Sequence, residues 1–151
     1  MYYIGIDPGK RGAIAIIDDN SNAITVIDCP VFRDTKDIDI LSIIDLLQAY
    51  NQSRCVIEKS QAMPGQGVVS MFNYGKGYGI YLGILECLDI KYNQVPPQTW
   101  KRRYNLSKDK QLSIDLAKKL FPECTNRLLK SKDGRAEALL LAQYCKDKYY
   151  G

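Results

Sequence analysis

An apolar stretch near the amino terminus, interrupted by one carboxylate and a tight turn, constrains the fold more than any other feature. Residues 1–6 are rich in aromatic and β-branched side chains, Asp-Pro-Gly follows at residues 7–9, and a second apolar run covers residues 12–17. Two apolar segments joined by turn-forming residues predict a β-hairpin. Residues 22–30 alternate well enough to add a third antiparallel strand, so this part of the chain predicts a three-stranded meander.

Asp7 ends the first of these strands. An ionised carboxylate removed from water costs several kcal/mol unless it is paired or binds a cation. The hairpin alone leaves two interpretations open. Asp7 either caps the turn, since Asp-Pro-Gly is common in turns, or it has a partner elsewhere in the chain.

The rest of the chain alternates between helices and strands. The apolar spacing predicts a helix over residues 37–50 and a short strand over 53–60, which a helical crossover makes parallel to the first strand. Next come a Gly- and Pro-containing loop that leads into a long helix, both within residues 62–90, and a last strand that ends at Pro96. Three helices follow: a short one opened by Pro97, one over residues 107–120 capped by Ser107, and a final one over residues 133–148. Together they predict a single domain over residues 1–151, with an α/β fold in which a mixed five-stranded sheet, made of the antiparallel meander and parallel strands, is flanked by helices.

Gly75, Gly79 and Gly83 recur at four-residue intervals in the long helix and therefore share one face. Each glycine costs a helix up to roughly 1 kcal/mol relative to alanine. Packing of this face against the sheet is the favoured interpretation, and close approach of another backbone or of a ligand is the alternative.

Composition excludes several kinds of site. The chain has 151 residues and no histidine, which removes Ser-His-Asp and Cys-His catalysis. Its five cysteines are odd in number and form no CxxC pair, so they are expected to be reduced core thiols. No signal peptide begins the sequence and no apolar run approaches the roughly 18 residues of a membrane span. We therefore expect an intracellular, cytoplasmic protein with no membrane partner.

Positive charge is concentrated in one segment. The formal net charge is +4, but residues 101–135 hold eleven Lys or Arg against four Asp or Glu. Such a segment suits a polyanion, because each phosphate that is neutralised releases counterions. A solvated helical face is the simpler interpretation of a basic run taken alone.

Four acidic residues are expected to converge. Glu58 ends its strand as Asp7 ends the first, and the carboxyl ends of parallel neighbours emerge at the same edge of a sheet. Asp133 and Glu137 lie four apart on one face of the last helix, where Glu137 shares its side with apolar residues. Like charges this close either raise the pKa of a carboxyl group or require a cation, and Mg²⁺ prefers such oxygen ligands. The sequence therefore predicts a metal site at this edge.

Four blocks of sequence resemble one known family. In order and spacing, "IGIDPGKRGAIAI", "VIEKSQ", "FNYGKGYGIYLGIL" and "GRAEALLLA" are similar to the RuvC family of Holliday junction resolvases, within the RNase H-like superfamily. With "VPPQTWKRRY" before the last block, the chain looks most like the phage and plastid branch. The resemblance covers nearly the whole chain.

The resemblance implies a set of site residues. Asp7, Glu58, Asp133 and Glu137 would be the catalytic metal ligands. Asp133 is the least constrained, because many relatives carry the fourth acid where this chain has Gly134. Two Mg²⁺ ions roughly 4 Å apart would activate water and stabilise the leaving oxygen, with Mn²⁺ as a substitute. The candidate DNA-binding residues are Lys101, Arg102, Lys108, Lys110, Lys118 and Arg135.

The implied activity is metal-dependent, structure-selective cleavage of four-way junction DNA by paired phosphodiester hydrolysis. The two-fold symmetry of a junction favours a homodimer, which relatives form through the long second helix. In this chain that helix offers more apolar surface than one sheet face would cover, at Tyr78, Ile80, Tyr81, Leu82 and Leu85, and a monomer that buries them all is the alternative. Relatives also insert an aromatic side chain after the second acid, a role that Met63 or Phe72 could take here. Alternatives are a nuclease for other branched DNA or RNA/DNA hybrids, a non-catalytic nucleic-acid-binding domain, and an actin-like ATPase, which needs two such domains.

Overall fold

The chain folds around one mixed sheet, which confirms the predicted fold class. The protein is described here by a computed structural model that covers residues 1–149. The strands are β1 (Tyr2–Asp7), β2 (Ala13–Asp18), β3 (Ile24–Asp28), β4 (Ser53–Glu58) and β5 (Lys91–Val95). They lie in the order β3-β2-β1-β4-β5. The pairs β1–β2 and β2–β3 are antiparallel, and the pairs β1–β4 and β4–β5 are parallel.

Helices cover both faces of this sheet. They are α1 (Ile40–Leu47), α2 (Val68–Cys87), α3 (Pro97–Arg103), α4 (Lys110–Leu120) and α5 (Asp133–Tyr149), with short 3-10 helices at Pro122–Arg127 and Lys130–Lys132. Side chains alternate along each strand, so Tyr3 and Val56 join the core under α4 and α5, while Ile4 and Ile57 join the core under α1 and α2. The two cores explain why the central strands are apolar on both faces.

Helix α5 lies directly on β1 because residue 5 has no side chain. A Cβ atom built at Gly5 would lie 2.1 Å from the backbone oxygen of Ala138 and 2.3 Å from the backbone nitrogen of Ala142. Gly134, at the start of α5, is also confined, since its Cβ would lie 2.7 Å from the backbone oxygen of Arg11. These contacts bring the first turn of α5 over the ends of β1 and β4.

Two helices begin later than their patterns suggest. The helix predicted over residues 37–50 is confined to α1, because the Asp39 side chain accepts a hydrogen bond from the Ser42 backbone and caps it there. The helix predicted from Ser107 begins instead at Lys110. Its cap is Asp109, whose carboxylate accepts from the Gln111 backbone. The prediction that Ser107 caps this helix was therefore wrong.

The regularly spaced glycines of α2 do not pack against the sheet. A Cβ atom at Gly75, Gly79 or Gly83 would meet nothing within 4 Å. The buried glycine of this helix is Gly77, which packs against Ile38 and Gly9. The favoured interpretation of the periodic glycines was wrong, because the helix turns its other side to the core.

The predicted core thiols are buried, with one exception. Cys29, Cys55, Cys124 and Cys145 are buried free thiols, as expected, but Cys87 is exposed at the end of α2, so the prediction of a core thiol was wrong there. Within residues 1–149, every helix is too short or too polar to cross a lipid bilayer.

Candidate active site

The predicted acidic residues face one cleft at the carboxyl edge of the parallel strands. Asp7 and Glu58 are the last residues of β1 and β4, each one position beyond the paired Ile6 and Ile57. This acidic cleft has a volume of about 590 Å³, and the four predicted acids that line it are Asp7, Glu58, Asp133 and Glu137.

The space around Gly134 helps to identify the residue that supplies the fourth acid of the cleft. The Cβ atom of any larger residue there would lie 2.7 Å from the Arg11 backbone oxygen and 3.1 Å from Oδ2 of Asp7. An aspartate at 134 therefore does not fit this backbone. Asp133, one residue earlier, lines the cleft without that conflict, which favours it as the fourth acid.

Burial and mutual repulsion disfavour charge on two of these acids. The Asp7 side chain is enclosed by protein apart from the part that faces the cleft, and this burial, followed by the charges of Glu137 and Glu58, raises its pKa well above the ordinary value. Burial also raises the pKa of Glu58, against a hydrogen bond that lowers it. That bond is donated by the indole nitrogen of Trp100 to Oε2 of Glu58 at 2.8 Å.

Lysine ammonium groups, rather than carboxylates, are the nearest charged neighbours of the α5 acids. The Lys101 Nζ lies 2.9 Å from Oε1 of Glu137. The Lys110 Nζ lies 2.8 Å from Oδ2 of Asp133 and 3.4 Å from Oε2 of Glu137. Burial acts to raise the pKa of Asp133, but the hydrogen bond and charge of Lys110 hold it below its ordinary value. The pKa of Lys110 is raised in return, mainly by Asp133 and Glu137 acting against burial.

The side chains of this cleft have the chemistry of a divalent-metal site but not its finished geometry. Among residues 1–149, no three acidic or cysteine side chains stand close enough together to hold one ion. The donors themselves are hard carboxylate oxygens, and Asp7 and Glu58 face the cleft without a lysine in contact. Four carboxylates that repel one another fit Mg²⁺, which binds to oxygen ligands and would relieve the repulsion.

A second cleft adjoins the first and carries most of the predicted basic residues. This basic cleft, of about 670 Å³, shares Glu58, Tyr74, Lys110 and Glu137 with the acidic cleft. Of the six predicted DNA-binding residues, four line it: Lys101, Arg102, Lys108 and Lys110.

The other two predicted basic residues lie elsewhere. Lys118 is half-buried on α4 and lines neither cleft. The Arg135 guanidinium pairs with both carboxylate oxygens of Asp28, at 2.7 and 3.0 Å, and donates to the Arg127 backbone oxygen. Arg135 therefore ties α5 to β3, and its contact with DNA stays a prediction.

Two residues that sequence reasoning missed lie beside the acids. Trp100 is fully buried, and its indole fixes one oxygen of Glu58. Its position beside the basic run of α3 was the available clue, because a buried indole N–H usually finds a partner. Tyr74 of α2 lines both clefts, and burial together with the nearby carboxylates raises its pKa, so its phenol stays protonated. Its helical spacing does not distinguish it from a core tyrosine.

Solved structures with the same architecture are known, although their sequences differ widely from this one. No protein-family model matches this chain, and no curated protein matches its sequence significantly. The structure of RuvC from T. thermophilus in complex with a Holliday junction substrate is similar with a TM-score of 0.66 and 13% identity, over 98% of this chain and 96% of that one. A second structure, of Thermus thermophilus RuvC, is similar with a TM-score of 0.65 and 14% identity, over the same shares.

The chain has a RuvC-like fold. The match extends over nearly all of both chains, so the likeness includes the sheet and the helices on both of its faces. At this identity the likeness concerns the fold, and the chemistry must be argued from the residues of this chain.

Proposed function

We propose that this RuvC-like chain is a Mg²⁺-dependent, structure-selective DNA endonuclease that resolves Holliday junctions, with residues 1–151 as a single nuclease domain. The observation that carries the proposal is the convergence of four carboxylates from β1, β4 and α5 on one cleft beside a basic cleft. A fold-level likeness to a protein solved with a Holliday junction substrate supports this choice of DNA.

The four acids of the acidic cleft and the neighbouring Trp100 each have a role in this proposal. Asp7, Glu58, Asp133 and Glu137 would hold the metal, and Trp100 would orient Glu58 by fixing its Oε2 atom. A Mg²⁺ ion held by these acids would supply the Lewis acidity that phosphodiester hydrolysis requires at the attacking water and at the leaving 3′-oxygen. The enclosing walls of the cleft limit water around the acids, and this strengthens their hold on a cation.

The basic cleft would hold the DNA backbone. Lys101, Arg102, Lys108 and Lys110 can neutralise phosphates that approach the acids from this side. Met63 lines the same cleft and is 46% exposed, whereas Phe72 is 71% exposed on α2, outside both clefts. Met63 is therefore the better placed of the two to contact a base near the cut.

A homodimer would place two such sites on opposed strands of a junction. The apolar residues of α2 expected to pair two copies are used within one copy: Tyr81 and Leu85 are fully buried, and Tyr78, Ile80 and Leu82 pack partly buried against the core. The open side of α2 is a better candidate surface. This open face carries Val68, Phe72, Gly75, Gly79 and Gly83.

The deciding experiment incubates the purified protein with synthetic four-way junctions, matched duplexes and RNA/DNA hybrids, with and without Mg²⁺. We expect paired nicks in the junction alone and only with metal.

Asp7→Asn should abolish cleavage and leave junction binding intact, because it removes a ligand but no basic residue. The exposed Asp45→Asn, the same chemical change on α1, should cut normally. Cleavage of hybrids instead of junctions would overturn the substrate, and cleavage by Asp7→Asn would overturn the site.

A further inference from the structure

Both oxygens of one buried acid are already occupied by lysines. Glu137 is only 3% exposed, and its Oε1 and Oε2 atoms lie 2.9 Å from the Nζ of Lys101 and 3.4 Å from the Nζ of Lys110. Lys110 also holds Asp133, the other acid of α5. The two acids that α5 contributes to the cleft are therefore neutralised by the chain itself.

We propose that Lys101 and Lys110 compete with divalent cations for Glu137 and thereby set the metal affinity of the acidic cleft. This inference rests on the function proposed above. A dication bound to Glu137 would lie within a few ångströms of any ammonium group still on that carboxylate. In an enclosed site the repulsion between them is poorly screened, so a lysine must withdraw for metal to bind tightly.

The two lysines differ in how easily they can withdraw. The Lys110 side chain is 53% exposed, and its ammonium group can move into solvent at little cost. The Lys101 side chain is only 16% exposed, and its Nζ lies 5.3 Å from the centre of the Trp100 ring, a favourable cation–π position. Both lysines line the basic cleft, which gives a released ammonium group space to occupy. Lys101 should therefore be the stronger competitor.

The test measures Mn²⁺ binding in the absence of DNA by electron paramagnetic resonance of the free ion. Lys101→Met and Lys110→Met keep most of each aliphatic stem and remove the charge. We expect Lys101→Met to bind Mn²⁺ about tenfold more tightly than the unaltered protein, and Lys110→Met about threefold. Lys101→Arg, which keeps the charge, should retain the original affinity.

Lys59→Met is the matched control. Lys59 is exposed and lines the same basic cleft, but it has no ion pair among those that the structure describes. Its replacement should change Mn²⁺ affinity by less than about twofold, the effect of one solvent-exposed, screened charge. Thermal unfolding without metal checks that each variant is folded, and if Lys101→Met is not, the uncharged Lys101→Gln takes its place with the same expected tightening.

The outcomes separate this inference from the proposed function. Tighter binding in Lys101→Met and Lys110→Met, but not in Lys59→Met, supports competition at Glu137. If Mn²⁺ binds, is lost in Asp7→Asn, and is unchanged by either lysine substitution, the competition is overturned while the metal site stands. Equal tightening in Lys59→Met would also overturn it, in favour of a general field effect. Absence of Mn²⁺ binding in every variant would overturn both proposals.

Discussion

Glycines at two places in this molecule have opposite consequences. Where α5 lies on β1 and on the turn between β1 and β2, Gly5 and Gly134 each stand where a Cβ atom would lie less than 3 Å from another backbone. On the open face of α2, a Cβ atom at Gly79 or Gly83 would touch nothing. The same residue type thus permits a contact in one region and only weakens a helix in the other. What glycine means at a position depends on what lies opposite it.

The largest expected effect is that of Gly5→Ala. The new methyl would overlap the backbone of α5 at Ala138 and Ala142, and backbone cannot move aside as a side chain can. We expect a loss of about 3 kcal/mol or more in the free energy of unfolding, measured by urea denaturation. Gly83→Ala serves as the control for adding one methyl at an open site. Equal stability of the two variants would show that α5 does not rest on β1 through residue 5.

Gly134→Ala should have the next largest effect. Its methyl would lie 2.7 Å from the Arg11 backbone oxygen, a conflict that outweighs the gain in helix propensity. We expect a loss of about 1–3 kcal/mol in urea denaturation. The Asp7 carboxylate, 3.1 Å from the same methyl, would be displaced, so Mn²⁺ affinity should fall as well. A stabilised variant with unchanged Mn²⁺ affinity would contradict this account of the contact.

The sequence was sufficient to predict the sheet and the strand-end acids for a physical reason. Strands buried on both faces must be apolar throughout, so a charged residue at the end of each, Asp7 and Glu58, stands out from its surroundings. Their parallel pairing follows from the intervening helical crossover. Glu137 was found in the same way, as an acid on an apolar helix face.

Other features of the site depend on contacts that a one-dimensional pattern does not contain. The helical period identified the face shared by Gly75, Gly79 and Gly83, but not that this face is open. Lysine side chains are long and flexible, so nothing in the spacing of Lys101 and Lys110 indicates that both reach Glu137. The partnership of Trp100 with Glu58 joins residues 42 positions apart and appears only once the sheet is assembled.

Asp7→Asn should stabilise the metal-free protein at neutral pH, whereas Gly5→Ala and Gly134→Ala should destabilise it. The raised pKa of Asp7 means that the folded protein binds a proton that the unfolded chain has released, at pH values between the ordinary pKa and the raised one. Stability without metal therefore falls as pH rises through that window. Asparagine abolishes this slope and should stabilise the metal-free protein at neutral pH, by less than Gly134→Ala destabilises it.

Urea denaturation in EDTA across the acidic to neutral range measures this effect. Asp45→Asn, on the exposed side of α1, controls for the loss of one negative charge and should keep the original slope. A slope unchanged in Asp7→Asn would mean that Asp7 is well solvated. The packing of α5 over the end of β1 would then not enclose it.

Gly79→Ala has the smallest expected effect and tests the other side of the comparison. In a single copy, the added methyl meets open space and improves helix propensity, so unfolding should become about 0.5–1 kcal/mol less favourable. Gly77→Ala, two residues away on the buried side, has its methyl 3.1 Å from Ile38 and should not show this gain. Sedimentation equilibrium adds the decisive measurement, because a methyl at residue 79 would hold two copies apart if they pair through the open face of α2. If the variant is stabilised and also shifts from dimer to monomer, a second copy normally fills the space opposite Gly79. If it is stabilised with no change in assembly, this face of α2 stays open to solvent.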